Sequence, residues 1–389
     1  MSVNWKKIRK DQFPALKKLT YLMAASASPL SKNAYQNGIN YFKDMLNFGD
    51  IHFEKFNEEI NKLRSTIAQY INAEPEDIAF FLNVSSCMNA ISRVLEKGEI
   101  LYPSLEFPAS IHIFKRLGFP CTKLIDNSNK YLVSDFTKQL TKDTRYIIHS
   151  HILSLTGFKQ NLDALGQFCS DNNLLNIINA TQSFGAFQID VKKQDIDMLV
   201  INPLKWGACG YGAGFLYINN KIIEEKGLPF SGWLSVEEPF SMDNDNLNVI
   251  NKTKYMDTLG GCPNFGALLS LKGSLDLIKS EIGDGDIKKG IQRIQERIIW
   301  LTSEFIERIV NLNYKIITPL ELEFRSGIIT IEHSKAEQIY KLLVKKNIYP
   351  TLKMYPRSEK HTLLRFAFNY YNNLEDIEKV IGGLKSLHI

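Results

Sequence analysis

The sequence predicts an α/β fold with a mainly parallel sheet, followed by a smaller α+β domain. Short apolar segments alternate with helical stretches of about 10 to 15 residues, which is the rhythm of βαβ units. Polar side chains directly follow several of these segments, where ligands bind in parallel sheets. From Asn264 onward, long helices precede a strand pair. We therefore predict an N-terminal arm (1–20), a large domain (21–263) and a small C-terminal domain (264–389).

The large domain is predicted to begin with helices and then to alternate strands with helices. Residues 31–72 have helical periodicity, and the apolar side chains of 57–71 fall on one face. Helices are also expected over 83–94 and around 111–117. The expected strands are short runs rich in Ile, Leu, Val and Phe, at 77–82, 100–102, 122–125, 146–148, 177–178, 198–201 and 215–218.

The small domain is predicted from longer helical periodicity. Its helices are expected over 265–278, 287–309, 336–345 and 374–387, and its strands over 314–317, 327–331 and 363–368.

The composition is that of a soluble globular chain. Of the 389 residues, 44% are hydrophobic and 23% charged, and 47 basic against 42 acidic residues give a net charge of +5. The basic residues form no stripe, so no nucleic-acid partner is expected. No run reaches the roughly 18 apolar residues that span a bilayer, and the N-terminus lacks an apolar signal core, so no membrane partner is expected. The odd count of five cysteines, without paired spacing, favours a reduced, cytoplasmic setting.

A lysine follows the predicted strand 198–201 and precedes a glycine-rich turn. Lys205 lies between Leu204 and Trp206, and glycines recur through 207–214. One interpretation is an exposed loop lysine in a hairpin turn. The other is a partly desolvated lysine, which loses its proton readily and attacks a carbonyl carbon.

A second feature is the turn from strand 77–82 into the helix 83–94. Such a turn presents free N–H groups and the positive end of a helix dipole, which suit a phosphate. The alternative is that Ser85 is only an N-cap. Five further side chains also follow predicted strands: Phe107, Ser154, Asn179, Gln182 and Lys205. Because the carboxyl ends of parallel strands lie at one edge of the sheet, we predict that these side chains and Ser85 form one site.

The stretch 176–219 resembles the active-site segment of the class V aminotransferases and cysteine desulfurases, which are fold-type I pyridoxal-phosphate (PLP) enzymes. Their pattern, Asp-Ala-x-Gln-Ser followed by Ser-x-His-Lys-Trp and a glycine-rich run, is similar to Asn-Ala-Thr-Gln-Ser at 179–183 and Asn-Pro-Leu-Lys-Trp at 202–206. The resemblance extends over nearly the whole chain. It implies a seven-stranded type of sheet, PLP as cofactor, and a homodimer with active sites at the subunit interface.

The resemblance also implies a role for each candidate residue. Lys205 would bind PLP as a Schiff base and then move a proton at the substrate Cα. Arg365 would grip the carboxylate of a small amino substrate, with Arg325 as a weaker candidate and a solvated strand arginine as the alternative. No metal site is expected, because His149 and His151 lack a third ligand nearby. The cofactor contacts would come from Ser85, Ser86, Phe107 (stacked on the ring), Ser154, Asn179, Gln182, Asn202, Lys205 and Cys262.

Four positions depart from the family pattern. Asn179 replaces the aspartate that pairs with the protonated ring nitrogen, and Cys262 replaces a threonine lent by the neighbouring subunit. Asn202 and Leu204 replace the serine and histidine before the lysine. Because a neutral amide holds a ring proton less firmly than aspartate, Cα deprotonation is expected to be harder. These changes also leave open a non-catalytic relative that keeps the fold for binding.

The sequence therefore predicts a PLP-dependent enzyme acting at the Cα of an amino acid-like substrate. The preferred interpretation is a class V aminotransferase of specialised metabolism. Racemisation, epimerisation and β-elimination at a C–S bond stay open, because fold and cofactor do not fix the reaction. A persulfide-forming cysteine desulfurase is not expected, because residues 346–364 contain no cysteine. A dinucleotide enzyme is excluded, since the glycines of 207–214 do not match G-x-G-x-x-G and lead into a strand.

Overall fold

The computed structural model describes residues 3–125, 128–312 and 314–386. The helices are α1 (Trp5–Gln12), α2 (Lys32–Phe48), α3 (Phe53–Ile71), α4 (Val84–Val94), α5 (His112–Arg116), α6 (Val133–Gln139), α7 (Leu162–Asp171), α8 (Asn220–Lys226), α9 (Phe265–Leu277), α10 (Ile287–Ile309), α11 (Ala336–Lys345) and α12 (Leu374–Lys385). The strands are β1 (Thr20–Tyr21), β2 (Ile78–Phe81), β3 (Glu99–Pro103), β4 (Cys121–Leu124), β5 (Thr144–Ser150), β6 (Leu175–Asn179), β7 (Met198–Ile201), β8 (Gly214–Ile218), β9 (Lys315–Ile316), β10 (Ile328–Glu332), β11 (Ile348–Tyr349), β12 (Thr351–Lys353) and β13 (Leu363–Ala367).

A seven-stranded sheet forms the centre of the fold, with the strand order β2-β8-β7-β6-β5-β3-β4. Strands β4, β3, β5, β6 and β7 run parallel, whereas β8 is antiparallel to both of its neighbours. The prediction of an α/β fold with a mainly parallel sheet is confirmed. The central strands β6, β7 and β8 are almost wholly buried because helices cover both faces of the sheet.

Several strands end at the same edge of this sheet. Ser150 pairs with Asn179, and Asn179 pairs with Val200, at the carboxyl ends of β5, β6 and β7. Strand β2 is separated from β7 by the antiparallel β8, so β2 runs in the same direction as β7 and ends at this edge as well. The turn from β2 into α4 therefore lies on the same side as the loop after β7.

A second, four-stranded antiparallel sheet has the order β12-β13-β10-β9. Helix α10 packs on it through Phe305, whose ring centre lies 5.2 Å from that of Phe366 and 5.0 Å from that of Phe368. Strand β12 was not predicted from the sequence, because Thr-Leu-Lys has too little apolar alternation to indicate a strand. Its extended conformation is stabilised by pairing with β13.

The N-terminal segment is held by the C-terminal part of the chain. Strand β1 pairs with β11 in parallel, and Arg9 forms a 2.8 Å ion pair with Asp376 of α12. Beyond β1, the amide of Ala367 donates to the carbonyl of Leu22 at 2.9 Å. The chain that follows, residues 24–28, is thereby brought beside β13.

The predicted helical region 31–72 contains the two helices α2 and α3, because Gly49 has a φ of 60° and ends α2. The predicted domain boundary before Asn264 stays a prediction. Helix α9, which follows it, contacts the glycine-rich loop of the large sheet through a 2.8 Å hydrogen bond from Ser270 Oγ to the carbonyl of Cys209. The last two residues of the predicted helix 374–387 are Ser386, just after α12, and Leu387, which lies outside the described residues. Among the described helices, none is long and apolar enough to cross a bilayer.

Candidate active site

Lys205 lies in the connection that reverses the chain between β7 and β8. Its side chain lines a cavity of about 210 Å³ at the carboxyl edge of the sheet. In the described part of the chain, its amine has no hydrogen bond or ion pair, and the ring of Phe107 is its neighbour, with the ring centre 5.5 Å from Nζ. Burial, together with the positive charges of Arg365 and Lys353, lowers the pKa of Lys205 to about 7. A large fraction of this amine is therefore neutral and nucleophilic at physiological pH.

Most of the side chains predicted to form the site line this one cavity. They are Ser85, Phe107, Ser154, Asn179, Gln182, Asn202 and Lys205. Each lies at the end of a strand of the large sheet or in the connection that follows it, so topology brings them together.

Two predicted cofactor contacts are not brought to this cavity. The hydroxyl of Ser86 forms a capping box with Asn83: it donates to the Asn83 carbonyl at 2.7 Å and accepts from the Asn83 amide at 3.2 Å. Cys262 is exposed, and its carbonyl accepts a 3.0 Å hydrogen bond from Thr258. Cys262 lies outside the cavity of its own chain, so its role at the phosphate site of a neighbouring subunit stays a prediction.

Arg365 is buried beside the cavity without a carboxylate partner among the described residues. Its Nη1 donates to the carbonyl of Ser154 at 2.6 Å and its Nη2 donates to Ser26 Oγ at 2.8 Å, while its Nε has no partner in the part of the chain that the structure describes. Burial lowers the pKa of Arg365 to about 10, so the guanidinium stays charged near neutral pH. A buried cation without an anion is costly, and a substrate carboxylate would compensate it.

The weaker candidate, Arg325, has a different environment. Its Nε donates to the carbonyl of Leu320 at 2.6 Å and its Nη1 donates to Ser303 at 3.1 Å. Neither arginine lines the cavity itself, but Arg365 donates to Ser154 and Ser26, which line it, whereas the partners of Arg325 do not. Arg365 is therefore the better placed of the two arginines.

The amide side chains of the site are fixed by hydrogen bonds. Gln182 accepts from Trp206 Nε1 at 2.9 Å and donates to the carbonyl of Ala25 at 2.9 Å. Asn179 donates to Ser110 Oγ at 3.0 Å and accepts from the amide of Thr181 at 3.1 Å. These bonds leave the two side chains little freedom to rotate.

The residues around the cavity fit PLP. The first N–H groups of α4 have no partner within the helix, and Asn83, Val84 and Ser85 line the cavity at this positive end of the dipole. Asn202 lines the cavity as well, and its side-chain amide can donate to a phosphate oxygen through its NH2 group. A helix N-terminus and an amide donor suit a phosphate, the face of Phe107 suits a ring, and the Lys205 amine, unpaired among the described residues, suits an aldehyde.

Several residues that line the cavity were not predicted from the sequence: Ser26, Asn83, Ser150, Thr181 and Tyr211. The expectation that site residues follow the carboxyl ends of parallel strands, here called the strand-end rule, could have found Ser150 and Thr181, since each follows a predicted strand. Ser26 gave no such signal, because it is brought to Arg365 by the contacts of the N-terminal segment with β11 and with the end of β13.

Comparison with known proteins places this arrangement in a family. The family described as Aminotransferase class-V matches residues 20–380. A probable cysteine desulfurase of Pyrococcus abyssi is 24% identical over 349 residues, which cover 85% of this chain and 83% of the relative. The uncharacterised aminotransferase YcbU of Bacillus subtilis is 21% identical over 382 residues, with 97% of both chains covered.

Solved structures share the fold. The apo structure of a cysteine desulfurase from Thermococcus onnurineus superposes with a TM-score of 0.87 at 20% identity, covering 100% of this chain and 98% of the other. A complex of the cystine C–S lyase C-DES with its reaction product cysteine persulfide superposes with a TM-score of 0.83 at 19% identity, covering 96% and 99%.

These comparisons overturn one prediction, that the protein is not a persulfide-forming cysteine desulfurase. That prediction was wrong, because relatives and structural neighbours that match most of the chain are themselves named as cysteine desulfurases. It rested on one loop, residues 346–364, and a cysteine absent there says nothing about a sulfur acceptor that comes from elsewhere.

The matched family extends from β1 into α12 and includes Lys205 and the residues around it. The cofactor of this family is PLP, which the residues around the cavity fit. The chain belongs to the class V aminotransferase family of fold-type I PLP enzymes.

Proposed function

We propose that this protein is an enzyme that uses PLP to remove the Cα proton of an α-amino acid and then breaks a C–S bond at its Cβ. The observation that carries the proposal is the amine of Lys205, unpaired among the described residues, with its pKa lowered to about 7, beside Phe107 and close to the buried Arg365. A base that is neutral at working pH and a cation for the carboxylate are what Cα deprotonation requires.

Residues around the cavity would hold the cofactor. The N-terminus of α4 and Asn202 would bind the phosphate, and Phe107 would cover the ring. Asn179 would meet the ring nitrogen, and Lys205 would bind the aldehyde as a Schiff base. When bound, PLP supplies the electron sink that stabilises the charge left at Cα.

Two side chains would then act on the substrate. Arg365 binds the carboxylate and fixes the direction of the Cα–H bond. Lys205 Nζ accepts the Cα proton, and burial, together with the positive charges of Arg365 and Lys353, makes the resulting ammonium acidic enough to return it.

Cleavage at Cβ is favoured by the relatives that are named as cysteine desulfurases and by the C–S lyase that shares the fold. In such an elimination the proton goes from Cα to Lys205, and the C–S electron pair leaves with the sulfur, which takes up a proton. With one water, the remaining carbon skeleton becomes pyruvate and ammonia. No external oxidant or reductant is needed.

Amino transfer is the second candidate. It is supported by the Bacillus subtilis relative, which is described as an aminotransferase and matches 97% of this chain. Within the described part of the chain no cysteine lines the cavity, so nothing in the lining is specific for sulfur.

A product analysis separates these reactions. The purified protein with PLP is incubated with L-cysteine, with L-cystine, and with sulfur-free amino acids plus a 2-keto acid. Pyruvate and ammonia in equal amounts with a released thiol, sulfide or persulfide would support C–S lysis, whereas alanine with transferred sulfur would identify desulfuration. A new amino acid formed only with the keto acid would identify transfer. If no substrate reacts although PLP is bound, the enzymatic proposal fails.

We also propose that the protein works as a homodimer. A set of exposed apolar side chains, the α2 surface, lies along α2 and the turn that follows: Tyr35, Phe42, Leu46, Phe48 and Ile51, which are 52–83% exposed. Such a patch favours burial against a second copy. In that copy, the exposed Cys262 would complete the phosphate site. The five free cysteines agree with a reducing cytoplasmic location.

A further inference from the structure

A buried carboxylate lies one side chain behind Asn179. Glu106 follows β3 at the carboxyl edge of the large sheet and is 9% exposed. Between the two residues stands Ser110, which is completely buried: its hydroxyl donates to Glu106 Oε1 at 2.9 Å and accepts from Asn179 Nδ2 at 3.0 Å. The three side chains form one continuous hydrogen-bonded chain that ends at the cavity wall.

Glu106 is surrounded by donors. Besides Ser110, its Oε1 accepts from Ser150 Oγ at 2.5 Å and from the Phe107 amide at 2.8 Å, and its Oε2 accepts from the Ser150 amide at 2.6 Å. None of these partners is charged, and two are backbone N–H groups that can only donate. Burial raises the pKa of Glu106 above its ordinary value, and the four donors oppose this by stabilising the ionised form. An arrangement with four donors suits a carboxylate rather than a carboxylic acid.

The chain has a fixed direction. Since a carboxylate can only accept, the Ser110 proton points to Glu106, and the Ser110 oxygen must then accept from an N–H group of Asn179. The amide of Thr181 independently donates to Asn179 Oδ1 at 3.1 Å. Turning the Asn179 amide over would lose both bonds. Hydrogen bonds in series polarise one another, so a negative charge on Glu106 makes the Asn179 oxygen more negative.

We infer that Glu106, acting through Ser110, is a positioning residue that orients Asn179 and supplies, one side chain away, the negative charge that Asn179 lacks toward the cofactor ring nitrogen. This inference rests on the proposed function, in which Asn179 meets that nitrogen. Asn179 therefore does not leave the site without a carboxylate. The carboxylate of Glu106 lies behind Ser110 and Asn179, and its negative charge favours the protonated ring nitrogen from a greater distance.

The alternative is a purely structural carboxylate that ties the loop after β3 to the end of β5. A structural role would change the stability of the fold and leave the ring nitrogen unaffected. The two roles therefore separate when the protonation of the ring nitrogen is measured directly.

The test uses the holoprotein with PLP that carries ¹⁵N in its ring, and the ¹⁵N chemical shift is followed as a function of pH. Glu106→Gln removes the charge at nearly constant shape, and Ser110→Ala removes the link while keeping the carboxylate. Each is expected to lower the pKa of the ring nitrogen by about one unit, a tenfold loss of the protonated form above that pKa. If Glu106→Gln does not fold, Ser110→Ala decides alone.

Glu99→Gln is the matched control. Glu99 begins β3 at the opposite end of the strand and accepts from three threonine hydroxyls, those of Thr122, Thr141 and Thr144, at 2.6 Å each. Its substitution is expected to leave the ring titration unchanged. Asn179→Asp, combined with Glu106→Gln, is expected to restore a protonated ring, because the charge then lies at the nitrogen itself.

In turnover, kcat is expected to fall about tenfold in Glu106→Gln with KM little changed, since only charge development is affected. A ring nitrogen that titrates as in the wild type in both Glu106→Gln and Ser110→Ala would overturn the inference while PLP binding and turnover stand. A protein in which borohydride fixes no PLP on Lys205 would overturn the proposed function and, with it, this inference.

Discussion

At the scale of single residues, the reactivity of Lys205 comes from its surroundings. An exposed lysine is protonated near neutral pH, whereas burial and the neighbouring charges of Arg365 and Lys353 lower the pKa of Lys205 to about 7. Arg365 is itself buried and lacks a carboxylate partner among the described residues. The two basic groups can share one site because the amine of Lys205, with its lowered pKa, can stay neutral beside the charged guanidinium of Arg365.

The lowered pKa of Lys205 predicts how fast the apoprotein captures PLP. The rate follows the neutral fraction of the amine, so it is expected to rise about tenfold per unit below pH 7 and to level off above it. Stopped-flow absorbance on the apoprotein measures this rate, and Lys205→Ala should give no adduct after borohydride reduction. A rate that keeps rising toward pH 10 would mean that Lys205 is an ordinary exposed lysine.

Arg365→Ala tests carboxylate binding. Loss of a charge-assisted contact of about 2–3 kcal/mol predicts a fall in kcat/KM of about 100-fold. PLP affinity should change little, because Arg365 lies outside the predicted phosphate and ring contacts. Arg325→Ala is the control, since its partners lie away from the cavity, and an equal loss in both variants would contradict the assignment.

At the scale of elements, the site depends on how strands and helices end. The connection from β7 to β8 reverses the chain, and Gly210 and Gly212 take φ values of 81° and 96° that other residues rarely adopt. Helix α4 begins at the same edge with a capping box between Asn83 and Ser86. The helix therefore offers its N-terminus to the cavity, while the Ser86 hydroxyl serves the helix itself.

A cap substitution separates helix stability from phosphate binding. Asn83→Ala removes an N-cap bond and is expected to cost about 1 kcal/mol of unfolding free energy. Asn161 caps α7 in the same way, accepting from the Ala164 amide at 3.1 Å, so Asn161→Ala should cost a similar amount. Only Asn83→Ala should also weaken PLP affinity, as fluorescence titration of the apoproteins would measure. Equal affinities in the two variants would remove α4 from the phosphate site.

At the scale of the whole molecule, the α2 surface, Cys262 and the cavity are connected by the proposed homodimer. The exposed residues of the α2 surface lie on a helix that also packs against α9, beside the glycine-rich loop. A second copy on this surface would bring its Cys262 to the phosphate site of the first.

Leu46→Glu tests this assembly, because Leu46 is 83% exposed on the α2 surface. A charge there is expected to shift the protein from dimer to monomer and to weaken PLP retention, as light scattering and absorbance on the same sample would record. Ile125→Glu, at a side chain that is 81% exposed elsewhere, should change neither. A wild-type monomer that retains PLP fully would contradict the dimer and the role of Cys262.

The sequence by itself determined the fold class and, through the resemblance, the cofactor. Apolar runs and helical periodicity are local properties, so strands such as β7 and helices such as α10 were predicted with their bounds. The strand-end rule then grouped Lys205, Asn179 and Phe107, because parallel strands end at one edge whatever their order. The resemblance supplied PLP, and the family match confirms it.

The tertiary structure decided what depends on contacts distant in sequence. Ser26 reaches Arg365, and Glu106 reaches Asn179 through Ser110, only after strands from separate parts of the chain have paired. In the sequence, Asn179 in place of the family's aspartate indicated weaker binding of the ring-nitrogen proton. In the folded chain, the carboxylate of Glu106 lies behind Asn179. Periodicity fixes which residues form a strand, but the electrostatics of a site depend on distances that are set only when the sheet is assembled.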